Sequence, residues 1–208
     1  MFGFLRQYQD QVYDALRSIS EAAIAEATSA LVEVHRRRGT IFVLCPPEDS
    51  SSVEHFVREL SQGMNPGLGG AQVAGGSARS PAAGFRLVQV LGSPRQIVAW
   101  QNDWAYEDIY AEQIRGRIRR GDVVLAISRR GDTANVVNAL QAARALGAVT
   151  ISLVGGKGSG IREASDITLH AGTEQPEQVE AIQIIVEHML CVALQRALAE
   201  PAEVRPAV

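Results

Sequence analysis

Cysteine, excess basic charge and long apolar runs are all scarce in this sequence of 208 residues. Its two cysteines, Cys45 and Cys191, lie far apart in the chain, which excludes a disulfide framework and a four-cysteine zinc module. With 20 basic and 23 acidic side chains the formal net charge is −3, so we expect no nucleic-acid partner, since such proteins need a basic surface. No run of 18 apolar residues occurs, and the start MFGFLRQYQD does not resemble a signal peptide. We therefore expect no membrane partner and a cytoplasmic location.

Short apolar runs alternate with helical stretches along most of the chain. Five β-branched or leucine-rich runs predict buried strands at residues 39–45, 85–91, 122–128, 148–154 and 166–170. Helical patterns are found at residues 51–62, 94–118 in two pieces, 133–145 and about 176–199. Apolar strands separated by helices are typical of a parallel sheet covered on both faces. The predicted fold class is therefore α/β, a doubly wound five-stranded parallel sheet flanked by helices.

The N-terminal region is predicted to form one helix over residues 4–38, because neither Pro nor Gly interrupts it and apolar residues recur every three or four positions. One small sheet cannot cover both this apolar stripe and the apolar last helix. We therefore expect residues 1–39 to be an N-terminal helical arm used in oligomerisation, and residues 40–199 to be the main domain. Residues 200–208 are expected to form a loose tail, and the Gly- and Ser-rich residues 63–84 a flexible loop.

Function is expected where the strands end, because doubly wound sheets bind ligands beyond the carboxyl ends of their strands. The third strand is followed by the turn Ser128-Arg129-Arg130-Gly131-Asp132-Thr133 and then by a helix. Two hydroxyls, the two arginines and the free N–H groups of the helix start would together form a phosphate site. The alternative is an ordinary capped helix start with two solvated arginines. The glycine-rich residues 155–160 do not have P-loop spacing and are predicted to form a flexible turn.

The segment GDVVLAISRRGDTANVVNALQAARALGAVTISLVGG covers the third strand, this turn and the fourth strand. It resembles the central signature of the sugar isomerase (SIS) domain, in which a strand ends in Ser and a small polar turn leads into a helix. Within that family the resemblance is closest to phosphoheptose isomerases and their non-catalytic relatives, and it covers roughly residues 40–195. It implies a SIS-type, flavodoxin-like sheet and a homotetramer whose active sites lie at subunit seams.

The segment HFVREL at residues 55–60 resembles a helix of phosphoheptose isomerases that carries a zinc ligand and the catalytic base. The matching residues are His55, as ligand, and Glu59, as both ligand and base. They lie one helical turn apart and so share a face, and a His and a carboxylate together form a natural half of a zinc site. Without the family resemblance, a simple His–Glu pair is the better interpretation.

The last helix would supply the second half of the zinc site. The resemblance places a ligand at Glu180, where the family has Gln, and another at His188, which would also assist catalysis as an acid. The two lie about 80° apart around the helix. Glu187 is better aligned with Glu180 and is a rival. Alternatively, Glu180 and Glu187 form a solvated stripe and His188 packs at an oligomer seam. The predicted cofactor is one zinc ion per site, held by His55, Glu59, Glu180 and His188.

Sugar contacts are also implied by the resemblance, although the first strand-end loop departs from the family pattern. Where the family has a glycine-rich loop, this chain has Pro46-Pro47-Glu48-Asp49, in which prolines remove backbone donors and carboxylates repel a phosphate. Asn102 and Asp103 resemble residues that touch the sugar, with a plain helix cap as the alternative for Asp103. The full set of predicted substrate contacts is Ser50, Ser51, Ser52, Asn102, Asp103, Ser128, Arg129, Arg130, Thr133 and Glu180.

The function implied by these residues is a phosphosugar aldose–ketose isomerase of the phosphoheptose isomerase type. It would transfer a proton through an enediolate, with Glu59 as the base and zinc as the supporting metal. The expected partners are a phosphorylated sugar and further copies of the same chain. Two alternatives stay open: a non-catalytic SIS protein that binds a sugar phosphate or a protein partner as a regulator, and an isomerase whose altered loop selects a non-phosphorylated or cationic group.

Overall fold

The centre of the molecule is a sheet of five parallel strands in the order β2-β1-β3-β4-β5. The strands are β1 (Thr40–Leu44), β2 (Arg86–Gln89), β3 (Val123–Ser128), β4 (Val149–Val154) and β5 (Ile167–His170). This is the order of a flavodoxin-like doubly wound sheet, so the predicted fold class is confirmed. The structure is a computed structural model that describes residues 3–63, 85–90 and 94–199. The predicted tail at 200–208 and, apart from Gly63, the predicted loop at 63–84 lie outside these residues.

Helices cover both faces of the sheet. They are α1 (Gly3–Arg17), α2 (Glu21–Arg36), α3 (Ser50–Gly63), α4 (Pro94–Asp103), α5 (Ile109–Arg115), α6 (Ala134–Ala145), α7 (Gly160–Ala164) and α8 (Pro176–Ala199). On one face, α2, α3 and α8 form a core with strand residues such as Ile41 and Val43. On the other face, α5, α6 and α7 pack with Phe42 and Leu44. Since successive residues of β1 point to opposite faces and both faces are covered, every residue from Ile41 to Leu44 is apolar.

The N-terminal region forms two helices, so the prediction of one helix over residues 4–38 is wrong. Helix α1 ends at Arg17 and α2 begins at Glu21. Between them Ser20 has an extended backbone, and its side chain accepts a hydrogen bond from the Ala23 N–H at 3.2 Å. A serine can begin a new helix in this way, because its side chain accepts a hydrogen bond from a backbone N–H of the first turn. A search for Pro and Gly alone does not detect such a break. The role of this region in oligomerisation remains a prediction.

Two turns at the carboxyl edge of the sheet pack closely against each other. They are residues 129–131 after β3 and residues 155–158 after β4. A Cβ atom added at Gly158 would lie only 2.5 Å from the carbonyl oxygen of Arg130 and 2.5 Å from the carbonyl carbon of Gly131. Only glycine fits at such a close approach of two backbones. Gly158, which was expected to be part of a flexible turn, is therefore required for packing.

Helix α8 is the longest described helix, and its length and composition would allow it to cross a membrane, with a mean hydropathy of 1.4 over an 18-residue window. In this structure 39% of that window is buried inside the protein. The helix packs against α2 and α3, as core helices of globular domains do. The buried apolar residues that it contributes to the core are Val179, Ile182, Val186, Leu190, Cys191 and Leu194.

Candidate active site

Helices α3 and α8 bring three of the predicted metal ligands together. His55 and Glu59 share one face of α3 because an α-helix turns once in 3.6 residues. His188 projects toward them from α8. One ligand atom from each of these three side chains lies within 4.8 Å of the others. The two imidazole rings meet edge to face, with their centroids 5.0 Å apart. A single chain thus assembles this cluster without a contribution from a second subunit.

The donor set of this cluster suits a zinc ion. Two imidazole nitrogens and one carboxylate oxygen are ligands that zinc accepts, and catalytic zinc sites often use three protein ligands so that the fourth position is left for water or substrate. His55 and Glu59 are partly buried and His188 is exposed. The three side chains can therefore be reached from solvent, as binding of a substrate requires.

Glu187 lies beside this cluster and contacts one of its members. Its side chain is 1% exposed, and its Oε2 atom lies 3.0 Å from His55 Nδ1. Its other oxygen, Oε1, has no hydrogen-bond partner within the described residues. Burial raises the pKa of Glu187 to about 8, because an apolar environment disfavours the charged carboxylate. The alternative in which Glu187 belongs to a solvated stripe is therefore wrong.

Glu180, the fourth predicted ligand, faces a different partner. It lies two helical turns before His188, which corresponds to about 12 Å along the axis of α8. Its Oε2 atom lies 3.7 Å from Arg129 Nη1, and its side chain is 45% exposed. It is not among the residues that converge with His55. The structure thus brings three of the four predicted ligands together within one chain, and the role of Glu180 as a fourth ligand stays a prediction.

A partly buried ion pair joins the loops that follow β1 and β3. Asp49 ends a short 3-10 turn at Pro47–Asp49 and is 3% exposed. Its Oδ2 accepts a hydrogen bond from the backbone N–H of Arg129 at 3.0 Å, and its Oδ1 pairs with Arg129 Nε. The side-chain hydrogen bond and the negative charge of Asp49 raise the pKa of Arg129. From the sequence we expected Arg129 to bind a phosphate and Asp49 to repel it, whereas in the structure they neutralise each other.

The remainder of the turn after β3 divides into buried and exposed groups. Ser128 is fully buried, and its Oγ accepts a hydrogen bond from the backbone N–H of Gly131 at 3.3 Å. Thr133 is the N-cap of α6 but makes no side-chain cap hydrogen bond. Arg130 is 75% exposed and lies 3.5 Å from Asp132. Ser128 thus stabilises the turn itself, while Arg130 and the start of α6 remain accessible to a ligand.

The other predicted sugar contacts lie at helix ends. Ser50, Ser51 and Ser52 form the first turn of α3, where Ser52 is buried and Ser51 exposed. Asn102 and Asp103 are exposed at the carboxyl end of α4. Asp103 is therefore not the N-terminal cap of that helix. Contact of these five residues with a sugar remains a prediction.

Comparison with known proteins identifies a known domain in part of this chain. A sequence profile described as the SIS domain matches residues 104–195, which include β3, β4, β5 and α6. The phosphoheptose isomerase of Rhodospirillum rubrum is 28% identical over 176 residues, covering 85% of this chain and 86% of that protein. The phosphoheptose isomerase of Helicobacter pylori strain P12 is 24% identical over 192 residues, 92% of each chain. Residues 104–195 of this chain therefore match a SIS domain.

Solved structures share the fold of this SIS protein over nearly its full length. A phosphoheptose isomerase from Francisella tularensis superposes with a TM-score of 0.75 at 21% identity and covers 92% of this chain and 96% of its own. The Vibrio vulnificus NanR protein complexed with ManNAc-6P superposes with a TM-score of 0.64 at 14% identity, over 93% of this chain and 61% of its own. At these identities the likeness establishes the common fold, and the choice of function depends on the site.

Proposed function

We propose that this SIS protein is an aldose–ketose isomerase that acts on a phosphorylated sugar of the heptose type, with one zinc ion per site. The observation that carries the proposal is the convergence of His55, Glu59 and His188 within 4.8 Å of one another. Relatives named phosphoheptose isomerase, which match over most of both chains, support this class of reaction. The enzyme is further proposed to be a cytoplasmic homotetramer.

The proposed reaction moves a proton between two adjacent carbons of the sugar through an enediolate. Glu59, whose side chain is 32% exposed, takes the proton from one carbon and returns it to the next as general base and acid. His188 is exposed at the cluster. As the sugar opens, the nitrogen of His188 that does not hold the metal gives its proton to the ring oxygen and takes up the proton that the anomeric hydroxyl releases. When bound, zinc supplies Lewis-acid polarisation of the substrate carbonyl.

The phosphate end of the substrate is proposed to bind at the turn after β3. The start of α6 offers backbone N–H groups and the hydroxyl of Thr133, which its own helix does not use. Arg130 is exposed there and can form charge-assisted hydrogen bonds with a phosphate. Arg129 contributes less, because Asp49 and Glu180 already lie against its guanidinium group.

The test combines metal content with turnover of sedoheptulose 7-phosphate by the purified protein. We expect near-stoichiometric zinc that is lost in His55→Ala. We expect Glu59→Gln to fold normally and to lose about 10²–10⁴-fold in turnover, the usual contribution of a general base. The matched control is Glu54→Gln, an exposed glutamate of the same helix, which should retain activity. Unchanged turnover in Glu59→Gln would refute its role as base, and a zinc-free wild-type protein would refute the metal-supported reaction.

A second candidate function is a non-catalytic SIS protein that binds a sugar phosphate as a regulator. It is favoured by the loop after β1, where two prolines lack backbone donors and Asp49 already occupies Arg129. Two measurements, binding and turnover of a sugar phosphate, distinguish the two candidate functions. Calorimetric binding of a sugar phosphate to the zinc-loaded protein, without any turnover, supports the regulator, whereas binding with turnover supports the isomerase.

A further inference from the structure

Glu187 is a buried carboxylate in the apolar face of α8. Its side chain is 1% exposed, and its helix neighbours Val186 and Leu190 belong to the core. One of its oxygens pairs with His55, and the other has no hydrogen-bond partner within the described part of the chain. A carboxylate in such a place destabilises a fold relative to an apolar side chain of similar size, because its lost hydration is only partly replaced. Stability alone does not account for a glutamate at this position.

The contact between Glu187 and His55 determines which imidazole nitrogen can serve the metal cluster. Glu187 Oε2 lies 3.0 Å from His55 Nδ1. Whether the shared proton lies on Nδ1 or on Glu187, this contact occupies Nδ1, so Nε2 is the atom left to bind a metal ion. In metal sites, a carboxylate behind a histidine ligand fixes the orientation and the tautomer of the ring, and makes it a stronger ligand. Glu187 occupies this place behind His55.

We propose that Glu187 is a positioning residue that holds the His55 ring with Nδ1 toward Glu187 and leaves Nε2 to act with Glu59 and His188. The inference rests on the zinc site of the proposed function, and it adds a residue that acts through His55 without touching metal or substrate. Glu187 and His55 are 132 residues apart in the sequence. One partly buried contact therefore joins the α3 half of the site to the α8 half.

The test measures zinc affinity of the full-length protein by competition with a chromophoric chelator. Glu187→Leu removes the partner of His55 but fills its volume, and Glu187→Gln keeps an uncharged acceptor. We expect the zinc Kd to rise about 10–100-fold in Glu187→Leu, the usual effect of losing such a partner, and by a smaller factor in Glu187→Gln. The matched control is Glu177→Gln, an exposed glutamate in the first turn of the same helix, which should keep the wild-type Kd.

Two further readouts separate positioning from a structural role. The Tm of the metal-free Glu187→Leu protein should equal or exceed that of the wild type, because an apolar side chain replaces a poorly satisfied carboxylate. Nuclear magnetic resonance of the zinc-loaded protein labelled with ¹⁵N-histidine should show a protected Nδ1 proton on His55, and this signal should be lost in Glu187→Leu. A role confined to stability would instead lower the Tm and leave the zinc Kd unchanged.

The outcomes distinguish this inference from the proposed function. If the wild type binds zinc, His55→Ala abolishes binding and Glu187→Leu keeps a Kd within twofold of the wild type, the positioning role is overturned and the zinc site stands. If the wild type binds no zinc, or if binding survives His55→Ala, the zinc site and this inference both fail. Should Glu187→Leu not fold, Glu187→Gln decides, and a Kd within twofold of the wild type overturns the role.

Discussion

Separating Asp49 from Arg129 should destabilise the protein measurably. Asp49 is 3% exposed and accepts a hydrogen bond from the Arg129 backbone N–H at 3.0 Å in addition to pairing with its Nε. Asp49→Asn keeps an oxygen for the backbone amide but loses the charge opposite the guanidinium, and one hydrogen bond to a charged group contributes about 1.5–3 kcal/mol. We expect a loss of about 2 kcal/mol, which lowers the Tm of a chain of this size by about 4–8 °C. Asp49→Ala should cost about 1–3 kcal/mol more than Asp49→Asn, because the backbone N–H of Arg129 then also loses its acceptor.

A double-mutant cycle isolates the contribution of this pair. Asp49→Asn is combined with Arg129→Gln, and the free energy of unfolding is measured in urea by circular dichroism. We expect a coupling energy of about 1–3 kcal/mol. The control cycle uses Arg130 and Asp132 of the same turn, which lie 3.5 Å apart but are 75% and 54% exposed, so solvent screening should keep their coupling below about 1 kcal/mol. Coupling energies that agree within about 0.5 kcal/mol would refute the argument that burial strengthens the Asp49 pair.

Other substitutions test the packing and the metal site. Gly158→Ala should cost about 1–3 kcal/mol in urea unfolding, because its Cβ would lie 2.5 Å from a carbonyl oxygen. Gly116→Ala, with open space around its Cβ, should be neutral or stabilising by up to about 1 kcal/mol, and equal losses in both variants would contradict close packing. Asp122 accepts hydrogen bonds from the backbone N–H groups of Thr40 and Arg119, both at 2.8 Å. Asp122→Ala leaves both groups unpaired and should cost about 1–3 kcal/mol for each; an unchanged urea midpoint would contradict this. Zinc at 100 times its Kd should raise the unfolding free energy by about 2.7 kcal/mol in a thermal-shift assay, and His55→Ala should abolish that gain; an equal gain in this variant would contradict the site.

The sheet could be predicted from the sequence because each strand is a short run with its own signal. In β3, Val123–Ser128, all six residues are buried, and the apolar run at 122–128 predicts it almost to the residue. The same holds for β4, which was predicted at 148–154 and is observed at Val149–Val154. Burial on both faces makes such strands continuous in hydrophobicity, so local sequence is sufficient. The parallel orientation of the strands then follows from the intervening helices, whereas the order β2-β1-β3-β4-β5 was not predicted.

The break between α1 and α2 was not predicted, because its signal is weak in local sequence. Ser18, Ile19 and Ser20 contain neither Pro nor Gly. The Ser18 hydroxyl donates to the carbonyl of Ala15 at 2.7 Å, and Ser20 caps the next helix. Ile19 is 9% exposed and packs in the core. The burial of Ile19 and the hydrogen bonds of the two serine side chains together outweigh the helical preference of the surrounding residues.

The partners of the charged residues could not be predicted, because they depend on how distant elements pack. Asp49 and Arg129 are 80 residues apart, and His55 and Glu187 are 132 apart. No local pattern specifies such pairs. A partial signal for Glu187 was present, since it lies one helical turn from Leu190 and so falls on an inward-facing position of α8. A glutamate at an apolar position requires a partner, and identifying that partner requires the packing of α3 on α8.

The charge that a ligand meets at this SIS site differs from the charge that the sequence displays. Arg129 is neutralised by Asp49 and lies 3.7 Å from Glu180, so it offers little free positive charge to a phosphate. The proposed phosphate site then depends on Arg130 and on the N–H groups at the start of α6, whereas the reacting carbons depend on the metal cluster. Two partly buried contacts stabilise these two parts of the site, one between the loops after β1 and β3 and one between α3 and α8. Replacing such a pair by apolar side chains is often neutral or stabilising, so we infer that the value of these contacts to the protein lies in the geometry that they impose. If the proposed function holds, specificity depends on how the phosphate site and the metal cluster are placed relative to each other, more than on net charge.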